Sequence, residues 1–318
     1  MAGLIIGTRR SPLAVWQANF VRAELERAWQ GLRVELRPIT TSGDRPSAGG
    51  AAPPAEKGMF TKEIEGELLA GRIDLAVHSL KDLPTSLPQG LALAAVPARE
   101  DPADALVAKD GMALEKLPRG AKVLCGSPRR AAQLLARRGD LVIVPVRGNV
   151  ETRIRKLEGG DAAATVLACA GLIRLGLAEK ITQRFDPEDF LPAAAQGALG
   201  LEVRADDGRV LELLKPLDHP PSRAAATAER ALLRGLGGGC RLPIGAYARS
   251  SADGKELILT GMVAKPDGSL LLKRTLAAPL FGQGAAEELG GRLARQLLAD
   301  GADEILREAP GDTPQGDD

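Results

Sequence analysis

The sequence predicts an α/β protein built as two similar α/β units followed by a smaller α+β domain. Three observations predict this. Residues 4–37 open as strand, helix and strand. A short strand, then Ser-Pro, then a helix occurs first around Ser11-Pro12 and again around Ser127-Pro128. From Ser222 the pattern changes to one helix and a run of strands. A chain of 318 residues has room for about two or three such domains.

The elements follow in order. Leu4-Ile5-Ile6 is an apolar run that ends at Gly7. Ser11 is a helix N-cap and Pro12 takes the first helical position, where its missing N–H costs nothing. Leu13, Trp16, Phe20 and Leu25 recur at helical spacing. Leu32 to Arg37 alternates with period two and reads as a strand, so the first sheet is at least partly parallel. Residues 43–58, rich in Gly, Pro and Ala, hold no regular element and read as a lid, a binding loop or a plain solvated loop. A helix over 61–70, a buried strand over Ile73–Val77, a turn through Asp82 and a strand over Leu91–Val96 complete this part.

The second unit opens near residue 98. Val123 to Gly126 is a short strand, followed by the Ser127-Pro128 helix start. A strand at Val142–Val144, a helix at Val150–Glu158 and a strand at Ala164–Leu167 continue the alternation. The strand at Gly200–Val203 and the helix through Leu211–Leu214 fit either unit. Pro216 and Pro220-Pro221 then mark a boundary. A helix to Leu236, strands near 245–248, 256–263 and 269–276, and a helix over 284–298 form the α+β domain. Residues 309–318 lack apolar anchors and read as a disordered tail.

Composition excludes several classes. Basic and acidic residues nearly cancel, 42 against 41, so the chain is not a globally basic nucleic-acid binder. Aromatics at 3% offer no stacking platform for single strands. Three widely spaced cysteines and two histidines make neither a disulfide framework nor a metal site. No run reaches the roughly 18 apolar residues of a membrane span, and no signal-peptide pattern is seen. The cytoplasm is the default compartment, and the near-neutral charge allows a monomer. No dinucleotide or phosphate-binding glycine motif occurs.

The arginines are placed where ligands bind. Arg9 and Arg10 follow a strand at a helix start, and Arg129 and Arg130 take the corresponding place in the second unit. Arg147 follows a strand, and Arg153 and Arg155 lie on the next helix. Strand carboxyl ends and helix N-termini favour anions, and the guanidinium fork matches carboxylates and phosphates. One such arginine would be ordinary surface charge; the recurrence indicates an anion-binding cleft. Ser11 and Ser127 either donate to the anion or simply cap their helices. Asp82, beside Lys81 at a strand tip, either stabilises a developing cation there or serves as a turn aspartate. His78 and Ser79 point to opposite faces of a strand and do not make a hydrolase; His78 reads as a hydrogen-bonded structural residue. Cys240 follows three glycines and precedes Arg241, a setting that lowers a thiol pKa and exposes it. Cys125 and Cys169 sit in apolar sequence as small core residues.

These residues fall within segments that resemble the porphobilinogen deaminase (hydroxymethylbilane synthase) family over nearly the whole chain. The segments include Gly7-Thr8-Arg9-Arg10-Ser11-Pro12-Leu13-Ala14, Lys57-Gly58-Met59-Phe60-Thr61-Lys62-Glu63 and Ala76-Val77-His78-Ser79-Leu80-Lys81-Asp82-Leu83-Pro84. Arg147-Gly148-Asn149-Val150-Glu151-Thr152-Arg153, Ala170 to Gly176, Leu191 to Gly197 and Gly238-Gly239-Cys240-Arg241-Leu242-Pro243-Ile244-Gly245 follow. One stretch departs: where the family usually reads Thr-Ser-Ser-Leu-Arg-Arg, this chain has Cys125-Gly126-Ser127-Pro128-Arg129-Arg130 and lacks two hydroxyls.

The resemblance implies two periplasmic-binding-protein-like α/β domains joined by two crossovers, residues 1–97 with 199–217 and residues 98–198. A cofactor-carrying α+β domain spans 218–308. It implies a dipyrromethane cofactor bound covalently through Cys240, and porphobilinogen as substrate. Four porphobilinogens are joined head to tail with loss of ammonia, giving the linear tetrapyrrole hydroxymethylbilane of porphyrin and heme biosynthesis. Asp82 would hold the pyrrole nitrogens and stabilise the azafulvene cation. Arg9, Ser11, Lys81, Ser127, Arg129, Arg130, Arg147, Arg153 and Arg174 would bind cofactor and substrate carboxylates. Arg153 and Arg174 would handle the incoming substrate. Lys57, Phe60 and Lys62 would lie at the cleft, and residues 43–58 would be its mobile loop. No metal, nucleic acid or membrane takes part in this reading.

Overall fold

A computed structural model describes residues 3–42, 61–238, 242–280, 282 and 284–308. The 43–58 loop, Lys57, Phe60, Cys240 and the 309–318 tail lie outside the described residues. The chain divides into two compact units. Met1–Asp101, Ile173–Gly176 and Gln196–Arg223 form the first; Pro102–Leu172, Leu177–Ala195 and Ala224–Asp318 form the second.

The first unit is a five-stranded sheet with helices on both faces. Its strands are β1 (Leu4–Arg9), β2 (Val34–Ile39), β3 (Leu75–Ser79), β4 (Leu91–Ala95) and β10 (Leu199–Arg204), in the spatial order β2-β1-β3-β10-β4. β1 runs parallel to β2 and β3, whereas β10 runs antiparallel to both of its neighbours. Because strand side chains alternate, Leu4, Ile6, Leu75, Val77, Leu199, Leu201 and Val203 all face one core. Ala18, Val21 and Leu25 of helix α1 (Pro12–Ala28) and Val210 and Leu214 of helix α6 (Gly208–Leu214) close that core. Ile5, Ile73 and Ala76 face the other side, where helix α2 (Lys62–Leu69) lays down Ile64 and Leu68. Ser11 caps α1 as the sequence predicts, accepting from Ala14 N.

The second unit repeats this sheet. Its strands are β5 (Asp104–Ala108), β6 (Lys122–Leu124), β7 (Val142–Val144), β8 (Ala164–Ala168) and β9 (Gln183–Arg184), in the order β7-β6-β8-β5-β9. As with β1, β6 is parallel to its two neighbours, and β5 is antiparallel to both of its own. Helices α3 (Pro128–Arg137), α4 (Val150–Gly159) and α5 (Cys169–Arg174) follow β6, β7 and β8. The match of topology explains the repeated Ser-Pro helix start. Ser127 caps α3 as Ser11 caps α1.

The C-terminal part is an antiparallel sheet, β11 (Ile244–Ser250), β12 (Glu256–Ala264) and β13 (Leu271–Pro279), in that order. Helices α7 (Pro220–Gly235), α8 (Ala285–Ala299) and α9 (Ala302–Glu308) accompany it. Leu232, Leu257, Leu259, Leu289, Leu293 and Leu297 form its core. Gly290 lets α8 approach α7: a Cβ there would stand 2.3 Å from the Ala228 carbonyl oxygen. Met262 and Ala264 of β12 also pack with Ala132 of α3 and Leu191, so this sheet shares a compact unit with the second α/β sheet.

Candidate functional site

Asp82 ends a one-turn 3-10 segment, Leu80–Asp82, directly after β3. The turn is pinned by two backbone bonds, Leu80 N to Ala198 O at 3.0 Å and Leu83 N to Leu80 O at 3.3 Å. Leu80 and Leu83 are buried, which leaves Asp82 exposed at the strand tip. Asp82 lines a small pocket, about 60 Å³, together with Arg9, Ser11, Gln17, Thr61, His78 and Ser79. The end of β1 supplies Arg9, the start of α1 supplies Ser11 and Gln17, and β3 supplies His78 and Ser79. Three residues singled out in the sequence, Arg9, Ser11 and Asp82, therefore share one pocket. Ser11 Oγ accepts from Ala14 N at 3.4 Å, so its capping role is present alongside any role toward a ligand.

Lys81 belongs to the same turn and is half-buried, with its Nζ donating to Gln196 Oε1 at 3.2 Å. Arg174 also lies in the first unit. It is buried, donates to Gly197 O at 2.7 Å, and stands 5.8 Å from the centre of the Trp16 ring. Burial pushes its guanidinium pKa down to about 10, against a pull from Glu100, so it is still a cation at neutral pH. Lys62 begins α2 and is exposed.

The remaining basic residues lie on the second unit. Arg129 and Arg130 are buried, only 4% and 6% exposed. Both are committed to Asp104, the first residue of β5. Arg129 Nη1 donates to Asp104 Oδ2 at 2.7 Å; Arg130 Nε and Nη2 donate to Oδ1 at 3.0 and 2.6 Å. Further bonds run to the carbonyls of Leu191 and Val166. Burial alone would raise the Asp104 carboxyl pKa, but the two guanidinium groups override it and hold it well below the usual range. Among the described residues this buried cluster sets two cations against one carboxylate, one net positive charge. Ser127 Oγ accepts from Arg130 N at 3.5 Å. Arg147 is exposed, and Arg153 is half-buried with Nε on Gly148 O at 2.9 Å.

Sequence reasoning missed Asp104, Gln17 and the partner of His78. Gln17 Nε2 donates to Ser79 Oγ at 2.8 Å in the pocket wall. His78 is the hydrogen-bonded residue the sequence indicates, and its partner is Glu202, with Nε2 2.9 Å from Oε2. Polar residues in otherwise apolar runs were the available signal, but their partners lie 62 and 124 positions away in the chain.

The donor set suits a polypyrrole acid. One carboxylate can accept pyrrole N–H groups while arginine, lysine and serine donors hold acidic arms. Of the three cysteines, Cys125 and Cys169 are buried, and burial pushes the Cys125 thiol pKa up. Among the described residues no cluster of three or more His, Cys, Asp and Glu could hold a metal ion, and no helix is long and apolar enough to cross a membrane.

Comparison with known proteins agrees with this chemistry. Residues 4–212 match the family described as porphobilinogen deaminase, dipyromethane cofactor binding domain, and residues 224–299 match the porphobilinogen deaminase C-terminal domain. The porphobilinogen deaminase of Syntrophotalea carbinolica is 52% identical over 305 residues, 96% of this chain and 95% of that protein. That of Desulforudis audaxviator is 49% identical over 303 residues, 95% of this chain and 96% of that protein. A solved structure, the VFT2 domain of Bordetella pertussis BvgS, matches with a TM-score of 0.40 at 16% identity. It covers 67% of this chain and 84% of that one, a likeness too weak to carry an argument.

Proposed function

Because the chain belongs to the porphobilinogen deaminase family, it forms hydroxymethylbilane in tetrapyrrole biosynthesis, and we propose that Asp82 is the carboxylate on which that reaction turns. The observation that supports this is the pocket whose wall Asp82 shares with Arg9 and Ser11. Loss of ammonia from the aminomethyl group of porphobilinogen leaves a cation delocalised over the pyrrole ring. A fixed carboxylate at the ring nitrogen stabilises that cation more than the neutral substrate, which lowers the barrier. Arg9, Ser11 and Lys81 lie on the same strand ends and turn, suited to hold acetate and propionate arms. A hydrogen bond to a charged group contributes roughly 1.5–3 kcal/mol, so several are needed to keep each ring in register.

The dipyrromethane cofactor, when bound, supplies the ring carbon to which the first substrate is joined. Cys240 is its attachment point in this reading. On the second unit, Ser127, Arg147 and Arg153 serve carboxylates from a loop and two helix starts. Arg129 and Arg130 serve them through the net positive charge of the Asp104 cluster. Arg153 and Arg174 handle the incoming substrate, and Lys57, Phe60 and Lys62 belong to the surroundings of the site. The three domains suggested by the sequence remain our division of labour: two α/β domains for binding and a C-terminal domain that presents Cys240. We place the enzyme in the cytoplasm, and its near-neutral charge allows a monomer.

Two measurements test this reading. Intact-protein mass spectrometry with peptide mapping should find the mass of a dipyrrole on the Cys240 peptide, and Cys240→Ala should lack it. Asp82→Asn should carry the dipyrrole yet turn over poorly. Near-normal turnover by Asp82→Asn, or a dipyrrole on another cysteine, would refute the assignment.

A further inference from the structure

One wall of the Asp82 pocket is backed by a cluster of titratable groups that the reaction as described does not use. His78 and Glu202 lie on the α2 face of the sheet, because their strand neighbours Val77, Leu201 and Val203 point to the opposite core. Glu202 pairs across the ladder with Ala76, two residues before His78, so the two side chains meet diagonally. His78 Nε2 and Glu202 Oε2 are 2.9 Å apart, and both side chains are almost wholly buried, at 4% and 0% exposure. Glu65 of α2 comes down onto the same face and is itself buried. Glu65 Oε1 and Glu202 Oε1 have no hydrogen-bond partner among the described residues.

Two carboxylates and an imidazole with unpaired buried oxygens do not stabilise a fold when fully ionised. Burial pushes the Glu65 carboxyl above its usual range. Thr61 and His78 pull it the other way, and Glu202 pushes with burial. The elements packed against α2 are β1, β3, β4 and β10. Their titratable groups are Arg9, which lines the pocket, His78, Glu202 and Arg204. Arg204 is directed elsewhere, to the carbonyls of Leu68 and Ile73 and to Asp207. On α2 itself, Glu63 accepts from Ser42 N and Glu67 holds Arg72. The cluster therefore holds two acids and one imidazole, and it meets the pocket at His78 and at Thr61 beside Glu65.

We propose that His78, backed by Glu202 and Glu65, is a proton relay for the condensation, receiving the proton displaced from the pyrrole ring carbon in the Asp82 pocket. The inference rests on the Asp82 reading above. In each cycle the C–N bond of the aminomethyl group breaks and ammonia leaves with the electron pair. The free ring carbon of the chain end then bonds to the methylene, and its C–H bond breaks to restore aromaticity. Asp82 must remain an anion for the next cation, so it cannot keep that proton. His78 can take it, with Nε2–H held by the Glu202 carboxylate, which stabilises the imidazolium as in other His–carboxylate pairs. Before the next cycle the imidazolium gives this proton up to solvent, where the ammonia already expelled takes it up as ammonium, so protons balance. His78 is the proton acceptor, and Glu202 and Glu65 are positioning residues that act through it.

The test compares pH–rate profiles of wild type, His78→Gln, Glu202→Gln and Asp82→Asn, with nitrogen NMR of the His78 ring in the same protein. In wild type the rate should rise with pH over the range in which the His78 ring loses its proton. His78→Gln should lose that limb and about ten-fold in rate on the plateau. Glu202→Gln should move both the limb and the NMR transition to lower pH. A purely structural role would lower the melting temperature and scale the rate at every pH without moving the limb. That result, or a His78 ring whose protonation does not change where the rate does, would overturn the relay. If Asp82→Asn turns over normally, the reading of Asp82 itself fails. If Asp82→Asn is inactive while His78→Gln keeps the wild-type limb, only the relay fails.

Discussion

Arg129 Nη1 stands 2.7 Å from Asp104 Oδ2 at the buried end of β5, and the bond joins a helix start to a strand that lies 25 residues earlier in the chain. It places a protein carboxylate where the sequence suggested only arginines awaiting a ligand. The consequence is a stability prediction. Asp104→Asn strands two buried guanidinium groups, and breaking a buried pair typically costs about 3–5 kcal/mol. The variant should unfold at distinctly lower denaturant concentration at pH 7, with the loss in the second unit seen by hydrogen exchange.

The same carboxylate sets an acid limit. Its pKa is depressed in the folded protein, so it contributes stability that is fully present above the unfolded value of about 3.9. That stability is lost as pH falls from there through the folded value. Urea unfolding between pH 5 and 2 should therefore show a steeper loss for wild type than for Asp104→Asn.

Glu65 has the opposite sign. Its folded pKa is raised, so the folded state holds the proton longer than the unfolded one. Ionisation destabilises the protein as pH rises above the unfolded value of about 4.3. Glu65→Gln should be more stable than wild type at pH 8, with the difference shrinking toward pH 4. A variant less stable at pH 8 would contradict the burial argument.

Gly126 accounts for one departure from the family pattern. A Cβ there would stand 2.2 Å from the Val146 carbonyl oxygen, held close because Cys125 N bonds to Val144 O at 2.9 Å. Restoring the serine of the usual pattern, Gly126→Ser, should destabilise the chain by about 1–3 kcal/mol, as overpacking does. Thermal unfolding reads it directly.

Arg174→Lys should raise KM for porphobilinogen about ten-fold or more with a smaller change in kcat. Lysine keeps the charge but loses the planar fork that reaches Gly197 O and faces Trp16. Steady-state kinetics at several substrate concentrations separates the two parameters.

Much of the fold is legible in the residues. Period-two runs, Ser-Pro starts with their caps and the break after Pro220-Pro221 are local signals, and the elements appear where those signals lie. Strand β5 was not legible. Asp104–Ala108 is buried throughout, so it shows no alternation to distinguish it from any short apolar run. Helix α5 was hidden for a similar reason, having only six residues.

The sequence by itself determined the α/β class, the twofold repetition, the family and which polar residues stand at strand ends, because each of these is written in neighbouring residues. Tertiary structure alone decided what those polar residues face. Asp104 reaches Arg129 and Arg130, and Glu202 reaches His78 from 124 positions away. Only the antiparallel insertion of β5 and β10 into their sheets brings such pairs into contact. Burial then sets their charge states, since desolvation and neighbouring ions depend on three-dimensional surroundings that no local pattern encodes.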